Sequence, residues 1–147
     1  AVANLHSNDT ALLTPTQAVA MLQNIEDHCQ RTGTVFEDKS FPPTNKSILG
    51  GAQPSAELKS GLNKGQWLRP KEIAGNAHEL MIAGASFDDI KAGPHGSSAF
   101  HSGLAVLAAS RQASIEHLFI KGNETSHSGA YGVRFFINGK WQSVIVD

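Results

Sequence analysis

The residues most able to do chemistry lie where a glycine-rich turn meets a predicted helix. The run Gly93-Pro94-His95-Gly96 is followed by Ser97 and Ser98, and then by a segment of small and apolar residues. A hydroxyl at the start of a helix lies beside free peptide N–H groups and the positive end of the helix dipole, which stabilise a developing anion. Ser98 is therefore a candidate nucleophile. The simpler interpretation is that Ser97 and Ser98 cap the helix, because serine is a favoured capping residue.

Histidine and cysteine residues are candidates of a second kind, as ligands of a metal ion. The spacing of His95 and His101 matches no zinc motif, and His78-Glu79 lacks the second histidine of the H-E-x-x-H motif. The single cysteine, Cys29, excludes an internal disulfide and a multi-cysteine zinc site. We therefore expect the histidines to have surface or hydrogen-bonded polar roles, and Cys29 to be a small core residue.

The helix that the sequence predicts most clearly starts near the N-terminus. Thr14 is a good cap, Pro15 suits the first helical position, and Gln17 completes a capping box. Gly33 is a natural end. Apolar residues recur between these points at helical spacing, namely Ala18, Val19, Leu22, Ile25 and Cys29.

Weaker signals define the middle of the chain. Residues 34–65 are rich in proline, glycine and small polar residues, which predicts an ordered, irregular coil. A short helix is predicted over 70–81. The helix that opens at Ser97 or Ser98 is small and apolar on all sides, so we expect it to be largely buried. Ser114 is predicted to cap a shorter helix that runs to about Ile120.

The C-terminal segment predicts a β-hairpin. Asn138-Gly139 lies between two β-rich runs, which is the strongest short signal for a type I′ turn. A two-residue loop pairs Phe136 with Trp141. The alternation then predicts a core face and an opposite face that is too apolar to be plainly solvated. The core face holds Val133, Phe135, Val144 and Val146, and the opposite face holds Arg134, Phe136, Trp141 and Ile145.

Length and charge bound the class of protein. With 147 residues, we expect a loose leader over 1–13 and one domain over 14–147. The net charge of −1 gives no general attraction to nucleic acid or anionic membranes. No apolar run approaches the ~18 residues that a membrane span needs. We expect an intracellular, cytoplasmic protein.

Several segments occur in an order that is typical of one family. The segment from Ile82 to Ser98 resembles an active-site segment, Trp67-Leu68-Arg69-Pro70 resembles a Trp-x-Arg-Pro motif, and the hairpin up to Asp147 resembles a strand pair that ends in Val-Val-Asp. The family is that of the calpain-type (family C2, papain-like) cysteine peptidases. The resemblance covers about residues 34–147, and it includes Phe36-Glu37-Asp38, Phe41-Pro42 and Ser47.

The resemblance places the family's catalytic positions on residues that lack the required chemistry. The nucleophilic cysteine falls on Ser98, the following tryptophan on Ala99, and the oxyanion-hole glutamine on Ala92. The family's histidine and asparagine belong to a second subdomain that would follow Asp147. A serine hydroxyl is much harder to deprotonate than a cysteine thiol, and an alanine side chain cannot donate a hydrogen bond to an oxyanion. Ser98 and Ala92 are therefore degenerate positions, and the resemblance implies an inactive chain.

The resemblance also implies a calcium site. It would use the backbone carbonyls of Ile82 and Gly84 and the side chain of Asp89, with a further carboxylate beyond Asp147. Calcium requires six to eight oxygen ligands, several of them anionic, so we expect weak binding and no other cofactor. The simpler interpretation is that Asp89 is a turn or cap residue.

The implied fold is α+β, the first half of a papain-like peptidase core, in which the buried helix from Ser98 packs on a small antiparallel sheet. The implied function is a catalytically inactive calpain-like domain that acts as a structural and protein-interaction module, with one or more protein partners or a larger assembly. The alternative is a fragment or mutated form of a calcium-dependent calpain-type cysteine endopeptidase. A third class is a calcium-responsive switch without proteolysis.

Overall fold

The computed structural model describes residues 12–50, 53–91, 93 and 98–147, which divide into two compact units. The terminal unit contains the described residues up to Ser40 together with Glu116–Asp147, and the central unit contains Phe41–Ile115. Sequence predictions that rest on residues 1–11, on Ala92 or on residues 94–97 lie outside this description.

Helices and one antiparallel sheet make up the described residues, which confirms the predicted α+β class. The α-helices there are α1 (Pro15–Thr32), α2 (Asn45–Leu49), α3 (Ala56–Lys64), α4 (Pro70–Ala74), α5 (Ser98–Ser110) and α6 (Gln112–Glu116). Short 3-10 turns cover Gly75–Ala77 and Phe87–Asp89, and the strands are β1 (Tyr131–Ile137) and β2 (Lys140–Val146). No helix in the described part of the chain has both the length and the apolar character to cross a lipid bilayer.

Helix α1 begins and ends as the sequence predicts. The Gln17 backbone N–H donates to Thr14 Oγ1 at 3.3 Å, and the Thr14 backbone N–H donates to Gln17 Oε1 at 2.9 Å. At the other end, Gly33 adopts a left-handed conformation and its N–H donates to the Cys29 carbonyl. Four residues of the predicted apolar face are buried, namely Ala18, Leu22, Ile25 and Cys29, whereas Val19 is 49% exposed.

The hairpin also forms in the predicted register. Phe136 lies opposite Trp141, and the turn residues Asn138 and Gly139 both have positive φ, at 51° and 77°. A type I′ turn requires positive φ at both positions, and asparagine and glycine tolerate it best. The Leu13 and Ser143 backbones exchange hydrogen bonds of 2.9 and 2.8 Å, which join the start of the described chain to β2.

The predicted core face of the hairpin is wrong. Ile145, which the alternation assigns to the opposite face, packs against the core cluster that α1 forms with Ala130, and Ser143 on the same face is fully buried. The lack of a side chain at Gly132 explains why the face with Ser143 and Ile145 packs against the core. A Cβ atom there would lie 2.5 Å from Ile120 Cδ1, so the glycine makes room for Ile120 over the strand. The valine face is only half-buried.

The central unit is more helical than the sequence predicts. Within the segment 34–65, predicted to be irregular coil, lie α2 and α3, and Ser55 caps α3 by accepting from the Leu58 N–H at 3.2 Å. The helix predicted over 70–81 is shorter, since α4 ends at Ala74. The prediction that Ser114 caps a helix to about Ile120 is wrong in its bounds, because α6 begins at Gln112, includes Ser114 and ends at Glu116. A single capping residue, Ser55, starts α3, and the turn-rich composition around it hides that signal.

Helix α5 begins at Ser98 as predicted, but the prediction that it is largely buried is wrong. Among its described residues Ala108 is buried, whereas Phe100 is 53% and Val106 is 68% exposed. The helix contacts the 3-10 turn Phe87–Asp89, which is too short to cover an all-round apolar surface. The helix that packs on the sheet is α1.

Candidate functional site

Ser98 lies at the start of a helix, as a nucleophile of the expected kind would. It is the first residue of α5 and it is exposed. Ser97, Ala92 and His95 lie outside the described residues. Within the described chain, the next histidine on the helix is His101, whose ring meets that of Phe100 edge-on at 5.9 Å between centroids.

The cysteine of the chain does not offer a second nucleophile at this site. Cys29 is 6% exposed and packs in the core cluster of the terminal unit beside Leu22 and Ile25. This confirms the predicted core role. Among the described histidines, His78 is held by a contact of 2.9 Å between its Nδ1 and the Gly75 carbonyl. The described residues contain no group of three histidine, cysteine or carboxylate side chains that could hold a metal ion.

Asp89 serves the local turn. Its Oδ2 accepts from the Ser86 backbone N–H at 3.0 Å, and Ser86 Oγ accepts from the Asp88 N–H at 3.3 Å. These two bonds form a reciprocal capping box around the 3-10 turn Phe87–Asp89. Asp89 remains exposed, and Asp88 lies beside it in sequence. A single carboxylate supplies a small part of the shell that calcium requires.

The resemblance assigns the carbonyls of Ile82 and Gly84 to calcium, and this segment of the chain has a left-handed backbone. Ala83 and Gly84 both have positive φ, at 55° and 87°. Left-handed backbone is costly for alanine, so neighbouring contacts must hold it. Gln112 supplies one of them, because its Nε2 donates to the Ala83 carbonyl at 3.2 Å. Sequence reasoning missed Gln112, since no motif links it to a loop so far upstream.

The Trp-x-Arg-Pro segment has a structural role in the central unit. Pro70 is the first residue of α4, and the Arg69 backbone N–H donates to Glu72 Oε2 at 2.6 Å, which caps that helix. Trp67 packs edge-on against Phe41, with 6.1 Å between ring centroids. The segment thus starts a helix and anchors an aromatic pair.

A second candidate site is an exposed aromatic pair near the tip of the hairpin. Phe136 is 62% and Trp141 is 51% exposed, and their rings meet at 5.4 Å with an interplanar angle of 63°. Arg134 lies on the same face of β1, and its Nη1 donates to the His117 carbonyl at 3.0 Å. Exposed aromatic residues beside a cation are typical of protein-binding surfaces.

Comparison with known proteins identifies a family. The sequence profile described as "Calpain family cysteine protease" matches residues 36–147. Calpain-A of Drosophila melanogaster is 31% identical over 141 residues, which cover 92% of this chain and 16% of Calpain-A. The calpain-type cysteine protease ADL1 of Oryza sativa subsp. japonica is 32% identical over 118 residues, 76% of this chain and 5% of that protein.

A mammalian relative gives the same result over nearly the whole chain. Calpain-13 of Rattus norvegicus is 27% identical over 147 residues, which cover 96% of this chain and 21% of that protein. The chain thus spans about a fifth or less of the length of these relatives. The matched profile covers Trp67, Ser98 and the hairpin, the segments that carry the resemblance in the sequence. The chain belongs to the calpain family of cysteine proteases.

Proposed function

We propose that this calpain-family domain is catalytically inactive and acts as a structural and protein-interaction module. One observation carries the proposal. By the resemblance, the family's nucleophile position falls on Ser98, which is exposed at the start of α5, while the single cysteine of the sequence is buried in the core of the terminal unit. By the same resemblance, Ala92 replaces the glutamine that would donate to the oxyanion.

The physical argument rests on how a thiol becomes reactive. A cysteine peptidase attacks with a thiolate, which a neighbouring base and the helix N-terminus stabilise. An exposed helix N-terminus contributes about 0.3–1 kcal/mol, far too little to ionise a serine hydroxyl. The packing features of the domain, namely the cap of α1, the hairpin and the anchored Trp67, remain in place. A retained fold with a degenerate nucleophile supports binding rather than turnover.

The test measures hydrolysis of a fluorogenic calpain peptide substrate by the purified chain, with and without calcium. We expect no hydrolysis above buffer. Ser98→Cys should not restore turnover, because Ala92 offers no side-chain donor to the oxyanion. Calcium-dependent hydrolysis that Ser98→Ala abolishes would overturn the proposal.

A matched pair of variants tests whether the site still activates a thiol. Ser102 is exposed on the same helix, four residues after Ser98. We expect Ser98→Cys to react with iodoacetamide at most about fivefold faster than Ser102→Cys, because the helix N-terminus alone contributes about 0.3–1 kcal/mol. Cys29 should stay unlabelled in the folded chain. A much faster reaction at position 98 would show a lowered thiol pKa and contradict the inactive assignment.

The alternative function is a part or altered form of a calcium-dependent calpain-type endopeptidase. The observation behind it is the match to the profile described as "Calpain family cysteine protease". The same assay on the complete natural protein separates the two functions. Ser98-dependent hydrolysis there would support the alternative.

Calcium enters the proposal as a weak ligand. Ile82 and Gly84 would contribute carbonyls and Asp89 a carboxylate, but the carboxylate already accepts a bond from Ser86. The residues present therefore fit only part of a calcium shell. Titration calorimetry should show affinity no tighter than about 10⁻³ M. Micromolar binding that Asp89→Ala abolishes would instead support a calcium-responsive switch.

We also propose that the protein is located inside the cell, in the cytoplasm.

A further inference from the structure

The hairpin tip carries an aromatic surface that α1 leaves uncovered. Phe136, Trp141 and Arg134 share one face of the hairpin, since Phe136 pairs with Trp141 and Arg134 with Ser143. Further along that face, Ser143 is buried and Ile145 packs against the core. The two aromatic side chains at the tip are more than half exposed, so the same face is core at one end and open at the other. We call Arg134, Phe136 and Trp141 the hairpin face. Lys140 precedes Trp141 at the turn and pairs with Ile137, so it borders this face from the other side of the hairpin.

The two strands of the hairpin carry charge of a single sign. The segment Tyr131–Val146 contains Arg134 and Lys140 and neither aspartate nor glutamate. Within the described residues, neither cation has a carboxylate at ion-pairing distance. The Arg134 guanidinium is held by the His117 carbonyl, a neutral acceptor that orients the group without cancelling its charge.

We infer that the hairpin face docks an acidic segment of a partner protein that also carries apolar side chains. The inference rests on the proposed interaction function and names the chemistry of its partner. Trp141 and Phe136 supply large, rigid contact surfaces of the kind that anchor interfaces. Arg134 on this face and Lys140 at its border select a segment of opposite charge and speed its approach.

The charge of the hairpin also favours an acidic protein segment over three other kinds of partner. A second copy of the chain would bring two positive faces together, and like charges across an interface oppose association. Anionic membranes are recognised by clusters of about four to eight cations, and the hairpin offers two. Nucleic acid requires a basic surface that a net charge of −1 does not favour.

The experiment measures binding by fluorescence anisotropy on the purified chain. The probe is a fluorescein-labelled peptide in which glutamate alternates with leucine and phenylalanine, and the matched peptide has lysine in place of each glutamate. We expect the acidic peptide to bind and the basic peptide to bind about tenfold more weakly or not at all. Added salt should weaken the acidic complex, since the cations are exposed.

Two pairs of variants locate the site. Trp141→Ala should weaken binding about tenfold or more, because interface aromatics are common hot spots. Val19→Ser removes an apolar side chain of similar exposure from α1 and should leave binding unchanged. Lys140→Glu should weaken binding and reduce its salt dependence, whereas Lys64→Glu in the central unit should not. Circular dichroism confirms that each variant is folded.

Several results would overturn the inference. One is equal binding of the acidic and the basic peptide, and another is binding of the acidic peptide that Trp141→Ala leaves unchanged. A third is self-association of the chain that Trp141→Ala abolishes. A fourth is binding to phosphatidylserine vesicles without binding to the acidic peptide. A chain that neither binds the peptide nor hydrolyses the calpain substrate loses this docking site and keeps its inactive assignment. A chain that hydrolyses the substrate loses the proposed function whichever peptide it binds.

Discussion

Gln112, the first residue of α6, holds the left-handed loop at Ala83 and Gly84 by a hydrogen bond. Its Nε2 donates to the Ala83 carbonyl at 3.2 Å, and the same side chain fills the space where a Cβ of Gly84 would lie. A Cβ at that position would overlap the Gln112 Nε2 atom. The loop therefore depends on a glutamine that reaches it and on a glycine that leaves room for it.

Gly84→Ala should destabilise the domain. The substitution forces a side chain into a φ of 87° and displaces Gln112 from the Ala83 carbonyl. We expect a loss of about 1–3 kcal/mol in the free energy of unfolding, measured by urea denaturation. The matched control is Gly103→Ala in α5, where a Cβ would have no neighbour within 4 Å. There alanine should stabilise the chain by about 0.5–1 kcal/mol, because glycine weakens helix interiors. Equal effects at the two positions would contradict the role of Gln112.

Gly132→Ala should also destabilise, through packing rather than backbone strain. Its Cβ would lie 2.5 Å from Ile120 Cδ1 and 3.0 Å from Ile120 Cγ1. Overpacking of this kind costs about 1–3 kcal/mol. Ile120→Val removes the nearer atom, so the double variant should recover part of the loss. The double-mutant cycle in urea gives the coupling energy, and strict additivity of the two changes would show that Ile120 and Gly132 do not meet.

Local signals predicted the elements that local interactions determine. The start of α1 depends on Thr14 and Gln17, and the hairpin turn depends on Asn138 and Gly139, so each signal lies within a few residues of the structure it fixes. These are the cases in which capping and turn chemistry decide the backbone.

Features that depend on distant residues were predicted poorly. The valines of the hairpin favoured one face, but Gly132 lets Ile120 approach the other, a contact that alternation does not reveal. The apolar composition of α5 predicted burial without showing what would cover it. Within the candidate site, Ser98 lies at the helix start that its neighbours predict, while Gln112 could not be found from spacing.

Removing the cap of α1 should lower the stability of the domain by the amount that is usual for helix caps. Thr14→Ala removes the side-chain acceptor of the Gln17 N–H and the donor to Gln17 Oε1. We expect a loss of about 0.5–2 kcal/mol in the free energy of unfolding. Thr16→Ala changes an exposed threonine inside the first turn and should have a much smaller effect. Thermal unfolding followed by circular dichroism measures both, and equal losses would mean that the cap does not stabilise α1.

Two buried serines of the terminal unit should respond to alanine in opposite directions. Ser143 is fully buried, and its Oγ has no hydrogen-bond partner among the described residues. A buried polar atom without a partner costs about 1–3 kcal/mol, so Ser143→Ala should stabilise the domain by up to that amount.

Ser128 is the matched control, because it is 5% exposed but well partnered. Its Oγ accepts from the Ala130 N–H at 3.3 Å and lies 3.0 Å from Ser126 Oγ. Ser128→Ala leaves the buried Ala130 N–H without its acceptor and should cost about 1–3 kcal/mol. Urea denaturation of both variants measures the difference in sign. A loss of stability in Ser143→Ala would mean that its hydroxyl does have a partner in solution, for which a buried water is the simplest candidate.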